Sequence, residues 1–158
     1  MRRVLATAVV MLAACGGEAP DRATTNGVQV EAAWARVTGP AQTVGAVYFE
    51  IESVADDALT AVRVAPVVAR AAEVHESVVD DAGDSTSAGD GMPKMTMRKV
   101  ETLALPRGDP VSFRSGGYHL MLVDLAEPLL DGESFEITLE FEHAGPLTVE
   151  VPIAESQP

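Results

Sequence analysis

From residue 27 onward the chain is written in short runs of Val, Ile, Leu, Thr, Tyr and Phe, separated by Gly, Pro and Asp, and it nowhere sustains a helical period. This confines it to an all-β sandwich or barrel, because the runs have strand length and are enriched in side chains that suit a pleated surface. Residues 135–141, Phe-Glu-Ile-Thr-Leu-Glu-Phe, are the clearest case. Their strict alternation gives one apolar and one polar face, so this strand buries one side only. Strands are expected at residues 28–36, 44–52, 59–65, 70–78, 94–100, 111–114, 118–125, 135–142 and 147–153. Turn-forming groups fall between them at Gly39-Pro40, Pro106-Arg107-Gly108, Ser115-Gly116-Gly117, Asp131-Gly132 and Ala144-Gly145-Pro146. With 158 residues and no internal repeat, the chain fits one domain whose core needs no disulfide.

The first fifteen residues follow a different logic. Arg2 and Arg3 precede an apolar stretch at 4–12 that is too short to span a bilayer, and Leu12-Ala13-Ala14-Cys15 supplies a small-residue cleavage site. The pattern looks like a bacterial lipoprotein signal, in which residues 1–14 are removed and Cys15 is acylated. Residues 15–26, small and polar with Pro20, are expected to form a lipidated flexible tether, and residues 27–155 the folded domain. The expected location is extracytoplasmic, in the periplasm or on the outer face of the cytoplasmic membrane, with the lipid as the membrane anchor. Because Cys15 is the only cysteine, the mature domain has none left for a disulfide or a thiolate metal site.

A net charge of −13, deepened when Arg2 and Arg3 leave with the signal, repels nucleic acid and anionic headgroups. Residues 80–91 are acidic and small and should form a long solvated loop; their spacing does not match a calcium-binding loop. There is no nucleophile elbow, phosphate-cradling glycine loop or HExxH, so an enzyme is not expected.

The residues that carry chemistry are histidines and methionines. In residues 117–123, Gly-Tyr-His-Leu-Met-Leu-Val, the period of two puts His119 and Met121 on one face and Tyr118, Leu120 and Leu122 on the other. Met95 and Met97 alternate in the same way with Lys94, Thr96 and Arg98. His75 precedes the acidic loop whose far side carries Met92, Met95 and Met97, so a hairpin across that loop would bring His75 towards Met95 and Met97. Singly, each methionine has an ordinary explanation as gap-filling core. Together, every methionine beyond the signal segment and two of the three histidines lie between His75 and Met121. Thioether is soft and neutral and imidazole accepts copper in either oxidation state, so this donor set favours Cu(I) over zinc, magnesium or calcium. Glu73 or Glu76 could offset the remaining positive charge. His143, beside a turn and far from any methionine, reads as an exposed turn residue.

These residues resemble the PCuAC family of periplasmic copper chaperones from about Val28 to Ile153. That family is marked by a histidine, ten residues, a methionine, twenty-one residues and then His-x-Met. Here Met97 is followed by twenty-one residues and then His119-Leu120-Met121, which reproduces the second half. Twenty-one residues instead of ten separate His75 from Met97, an excess that the acidic loop absorbs at its tip. Ala33-Trp34-Ala35-Arg36, Val74-His75-Glu76, Gly116-Gly117-Tyr118-His119 and Val149-Glu150-Val151-Pro152 also look like the family. Where the family often has methionines just after the first histidine, this chain has Ser77 and Val79, and Met92 or Met95 stands as the substitute auxiliary ligand.

The resemblance implies a cupredoxin-like, Ig-like Greek-key β-sandwich holding Cu(I) between His75, Met97, His119 and Met121. It implies delivery of copper to acceptor proteins, notably the binuclear copper site of cytochrome c oxidase. The chain is expected to be a monomer. Two alternatives stay open on the residues alone: a copper buffer or resistance lipoprotein using the same ligands, and a metal-free structural sandwich. A blue-copper electron carrier is disfavoured by the missing cysteine.

Overall fold

The computed structural model describes residues 22–80 and 94–157. They form eleven strands: β1 Arg22–Thr25, β2 Val28–Arg36, β3 Val44–Ser53, β4 Asp57–Val64, β5 Ala69–Asp80, β6 Lys94–Lys99, β7 Leu103–Leu105, β8 Val111–Phe113, β9 Tyr118–Leu125, β10 Ser134–Phe141 and β11 Gly145–Ala154. Among the described residues there is no helix, and therefore none long and apolar enough to cross a membrane. The strands make one curled sheet in the order β6-β5-β9-β8-β3-β2-β11-β10-β4-β7, with β1 on β2 and β9 also on β3.

The sheet closes on itself as a sandwich. One layer holds β1, β2, β3, β5, β6, β8 and β9, and the other β4, β7, β10 and most of β11. β11 joins them: it runs antiparallel to β10, then pairs in parallel with β2 through Ile153 and Ala154. The alternation seen in the sequence decides what goes inside. Phe135, Ile137, Leu139 and Phe141 of β10 and Leu147, Val149 and Val151 of β11 are buried against Val47, Phe49, Ile51, Leu120 and Leu122 from the other layer. Each such side chain contributes about 1.5–3 kcal/mol on burial.

Three features depart from the sequence expectation. The tether does not extend to residue 26 as an unpaired segment: Arg22–Thr25 form β1, which pairs with Val28–Glu31 of β2. Asn26 and Gly27 turn the chain with φ of 39° and 89°, the left-handed pair that a two-residue hairpin requires, and the Asn26 amide donates to Ala144 O at 2.9 Å. The second is β7, three residues on the outer side of β4. The third lies inside β2, where Val28 and Val30 face the core but so does Ala35, of opposite parity. A bulge between Glu31 and Trp34, with Ala32 at φ 50°, makes that switch and aims Trp34 outward beside Tyr48, ring centroids 5.1 Å apart.

Asp57 fastens the far layer. Its side chain, 4% exposed, accepts from the backbone N–H groups of Ala58, His143 and Ala144 at 2.7, 3.0 and 2.9 Å. Burial pushes this carboxyl up, but the backbone donors with the His143 ring pull it below its ordinary value. His143 itself sits in the β10–β11 turn with its side chain 70% exposed. The expected signal segment, Cys15, Met92 and most of the acidic loop lie outside the described residues.

Candidate metal centre

Three neighbouring strands, β6, β5 and β9, carry His75, Met95, Met97, His119 and Met121. On β9 the period of two holds: Leu120 and Leu122 are completely buried in the core, which leaves His119 and Met121 on the opposite face. The register then sets their neighbours. His75 of β5 lies directly opposite His119, and Glu73 opposite Met121. Across the other side of β5, Lys99 pairs with His75, and Met97 with Ser77. Paired residues in an antiparallel ladder share a face, so His75, Met97, His119 and Met121 all belong to the same side of the sheet.

They are not equivalent on that face. The two imidazoles form the centre, with ring centroids 6.0 Å apart. Met121 stands one row along the sheet on the Glu73 side, and Met97 one row along in the other direction, on the edge strand. His119 is only 7% exposed, whereas Met97 is 67% exposed. The hairpin across the acidic loop forms as expected, but it sets Met97 opposite Ser77 instead of His75, and Met95 farther out, opposite Val79. A groove of about 320 Å³ opens over the face, lined by His119, Met121, Met97 and Ser77 with Tyr48 and Gly116 on its rim.

Hydrogen bonds fix which nitrogen of each imidazole is left open. His119 Nδ1 lies 3.1 Å from Gly117 O, and a carbonyl only accepts, so Nδ1 carries the proton and Nε2 the lone pair. His75 Nε2 lies 3.1 Å from Glu73 Oε2, which fixes the proton on Nε2 of the neutral ring. That leaves Nδ1 of His75 buried with no hydrogen-bond partner among the described residues. A buried unpartnered acceptor costs about 1–3 kcal/mol, so its persistence in a fold this regular calls for a reason. An imidazole whose one nitrogen is tied to a carboxylate or carbonyl while the other stays bare is the arrangement of a metal ligand. The two ring centres lie 6.0 Å apart, but His119 lines the groove whereas His75 does not.

Glu73 is the anionic part of this face. Hydrogen bonds from His75 and then Lys99 Nζ, at 3.2 Å, hold its carboxyl below the ordinary carboxylate range. Glu76, the other carboxylate expected to offset metal charge, does not serve: it lies on the opposite face, paired with Arg98 at 2.6 Å and next to Tyr118. Among the described residues no three His, Cys, Asp or Glu side chains gather into a group suited to a metal. The Gly117 carbonyl beside His119 and Lys99 beside Glu73 are hydrogen-bond partners that strand periodicity alone does not find. Glu73 was within reach, since it stands two residues before His75 on the same face.

This architecture is that of solved copper-protein domains. The copper-bound PCuAC domain of PmoF2 superposes with a TM-score of 0.65 at 22% identity, over 85% of this chain and 98% of that one. The Cu(I) form of DR1885 from Deinococcus radiodurans gives 0.56 at 21% identity, over 78% and 77%. Among curated sequences, the "Putative lipoprotein Lxx21020" of Leifsonia xyli subsp. xyli is 25% identical across 98% of this chain and 90% of its own length. A family model described as "Putative lipoprotein LpqE-like" matches residues 28–153, from the first residue of β2 to the last but one of β11. The chain, with its PCuAC-type sandwich, belongs to the LpqE-like family.

Proposed function

We propose that this protein is an extracytoplasmic Cu(I)-binding metallochaperone, anchored through a lipid on Cys15, that hands copper to acceptor proteins. The observation that carries the reading is the pair of facing imidazoles, His75 and His119, each tied on one nitrogen and bare on the other, with Met121 beside them and Met97 at the sheet edge. Neutral imidazole and thioether together favour Cu(I), and the absence of a cysteine in the mature domain argues against a blue-copper carrier. His75, His119 and Met121 hold the cargo, and Met97 completes the set from the exposed side. Met92 and Met95 are auxiliary candidates. The likeness of the fold to domains solved with copper supports the same assignment, and the lipoprotein descriptions of its relatives support the anchor and the extracytoplasmic location.

Transfer follows from the same chemistry. Exchange of a neutral thioether needs no proton, so an acceptor can replace Met97 first while the two imidazoles retain the ion. The binuclear copper site of cytochrome c oxidase is the acceptor we favour. The test is a competition titration of Cu(I) against a chromophoric chelator, on wild type and on His119→Ala with Met121→Ala. Binding of one Cu(I) in the wild type and its loss in the double variant is expected. Equal binding by both would remove the site.

A further inference from the structure

We infer that the groove beside the metal face is a docking surface for an acidic segment of the protein that exchanges copper with this one. A cavity of about 440 Å³ lies over β2, β3 and β8, with Trp34 and Tyr48 in its lining and Arg36 and Arg114 exposed at its sides. It runs into the His119–Met121 groove without a break, since Arg36, Tyr48 and Ser115 line both. A partner seated here reaches the metal face directly.

Charge decides what that partner carries. Among the described side chains, Arg22, Arg63, Arg70, Arg98 and Lys99 are each committed to a carboxylate of this chain. Arg36 and Arg114 have no carboxylate partner, although Glu50 and Glu155 line the same cavity. Glu50 is engaged instead by the Ser112 hydroxyl at 3.2 Å. Among the described residues Arg107 is the other unpaired arginine, and it lies outside the groove. On a chain of net charge −13, an acidic partner is repelled over most of the surface and, among the described residues, finds two free guanidiniums together only here. The backbone has also been bent to build the spot: Ala32, a residue with a Cβ, sits at φ 50° so that the β2 bulge can turn Trp34 onto Tyr48. Aromatic floor and paired arginines are the composition of a protein-binding hot spot.

The identity of the partner rests on the copper reading above; the groove does not, and it is tested on the apo protein. Trp34 is the only tryptophan, so its emission reports the groove directly. The probe is a capped Glu-Glu-Leu-Glu-Glu peptide, with its Gln-for-Glu and Lys-for-Glu counterparts alongside. The acidic peptide is expected to shift Trp34 emission saturably, with a response that falls as salt is added. Arg36→Gln with Arg114→Gln should raise the Kd about 5- to 10-fold, and Arg63→Gln on the other layer should leave it unchanged. Thermal melting of the double variant confirms that it is folded. Equal responses to the glutamine or lysine peptides, or an unchanged Kd in the folded double variant, would overturn the proposal.

Discussion

Replacing Glu73 tests how the imidazole at 75 is held. The carboxylate acts in two ways: it accepts from His75 Nε2, which leaves Nδ1 bare, and it places a negative charge on the face proposed to take Cu(I). Glu73→Gln keeps an acceptor oxygen and removes the charge. For a carboxylate whose side chain is 30% exposed, that share is worth about 1 kcal/mol, or roughly fivefold in Kd. Glu73→Ala removes orientation as well, and losing a partner of this kind costs about 10- to 100-fold in metal affinity. The assay is the Cu(I) competition titration, run beside long-range proton–nitrogen NMR of the apo protein, which reads the ring tautomer. Wild type and Glu73→Gln should both show His75 protonated on Nε2, and Glu73→Ala should show a mixture. If folded Glu73→Ala binds Cu(I) within about twofold of wild type, the carboxylate does not position the ligand and the argument from the bare Nδ1 fails.

Asp57→Ala strands the backbone donors of Ala58 and Ala144, residues only 7% and 5% exposed, and should lower the unfolding free energy by about 2–4 kcal/mol in urea denaturation. Because the Asp57 carboxyl is depressed in the fold, its contribution is complete above the ordinary value of 3.8 and is lost as pH falls through the lower folded value, so the gap between wild type and Asp57→Ala should narrow in acid. Gly27→Ala should cost more than Gly132→Ala: both glycines have positive φ, about 1–2 kcal/mol of strain for alanine, but only at Gly27 would the added Cβ meet another atom, Val54 Cγ2 at 2.5 Å. Thermal melts of the two variants settle the order. Met121→Leu should weaken Cu(I) retention more than Met97→Leu, since Met97 is mostly exposed and Met121 adjoins the buried His119; the chelator titration reads both.

The strands that were legible are those whose alternation faces one core: β9 runs over the residues expected, and β2, β3 and β10 end within a residue of expectation. β1 shows no strand pattern because Ala23, Thr24 and Thr25 are small and do not alternate strongly, although Asn26-Gly27 is a strong hairpin signal between two short runs. β7 is too short to show a period, and the β2 bulge leaves no mark in composition because alanine, unlike glycine, does not announce a left-handed turn. In the site, the shared face of His119 and Met121 follows from spacing. That His75 meets His119, and that Met97 falls beside Ser77, follows only from the register of two strand pairs, which sequence separation does not encode. Lys99 enters the site for the same reason, carried there by the hairpin from twenty-four residues beyond the histidine it faces.

The placement of β6 at the rim of the layer has a mechanical consequence. Among the described strands only β5 pairs with it, so opening it breaks one ladder while the pairings of β5, β9 and β3 stay in place. Fraying there would carry Met97 off and leave the two imidazoles where they were. An edge strand held by one ladder opens at lower free energy than the strands inside the layer, so amide exchange should run faster along 94–99 than along 118–125.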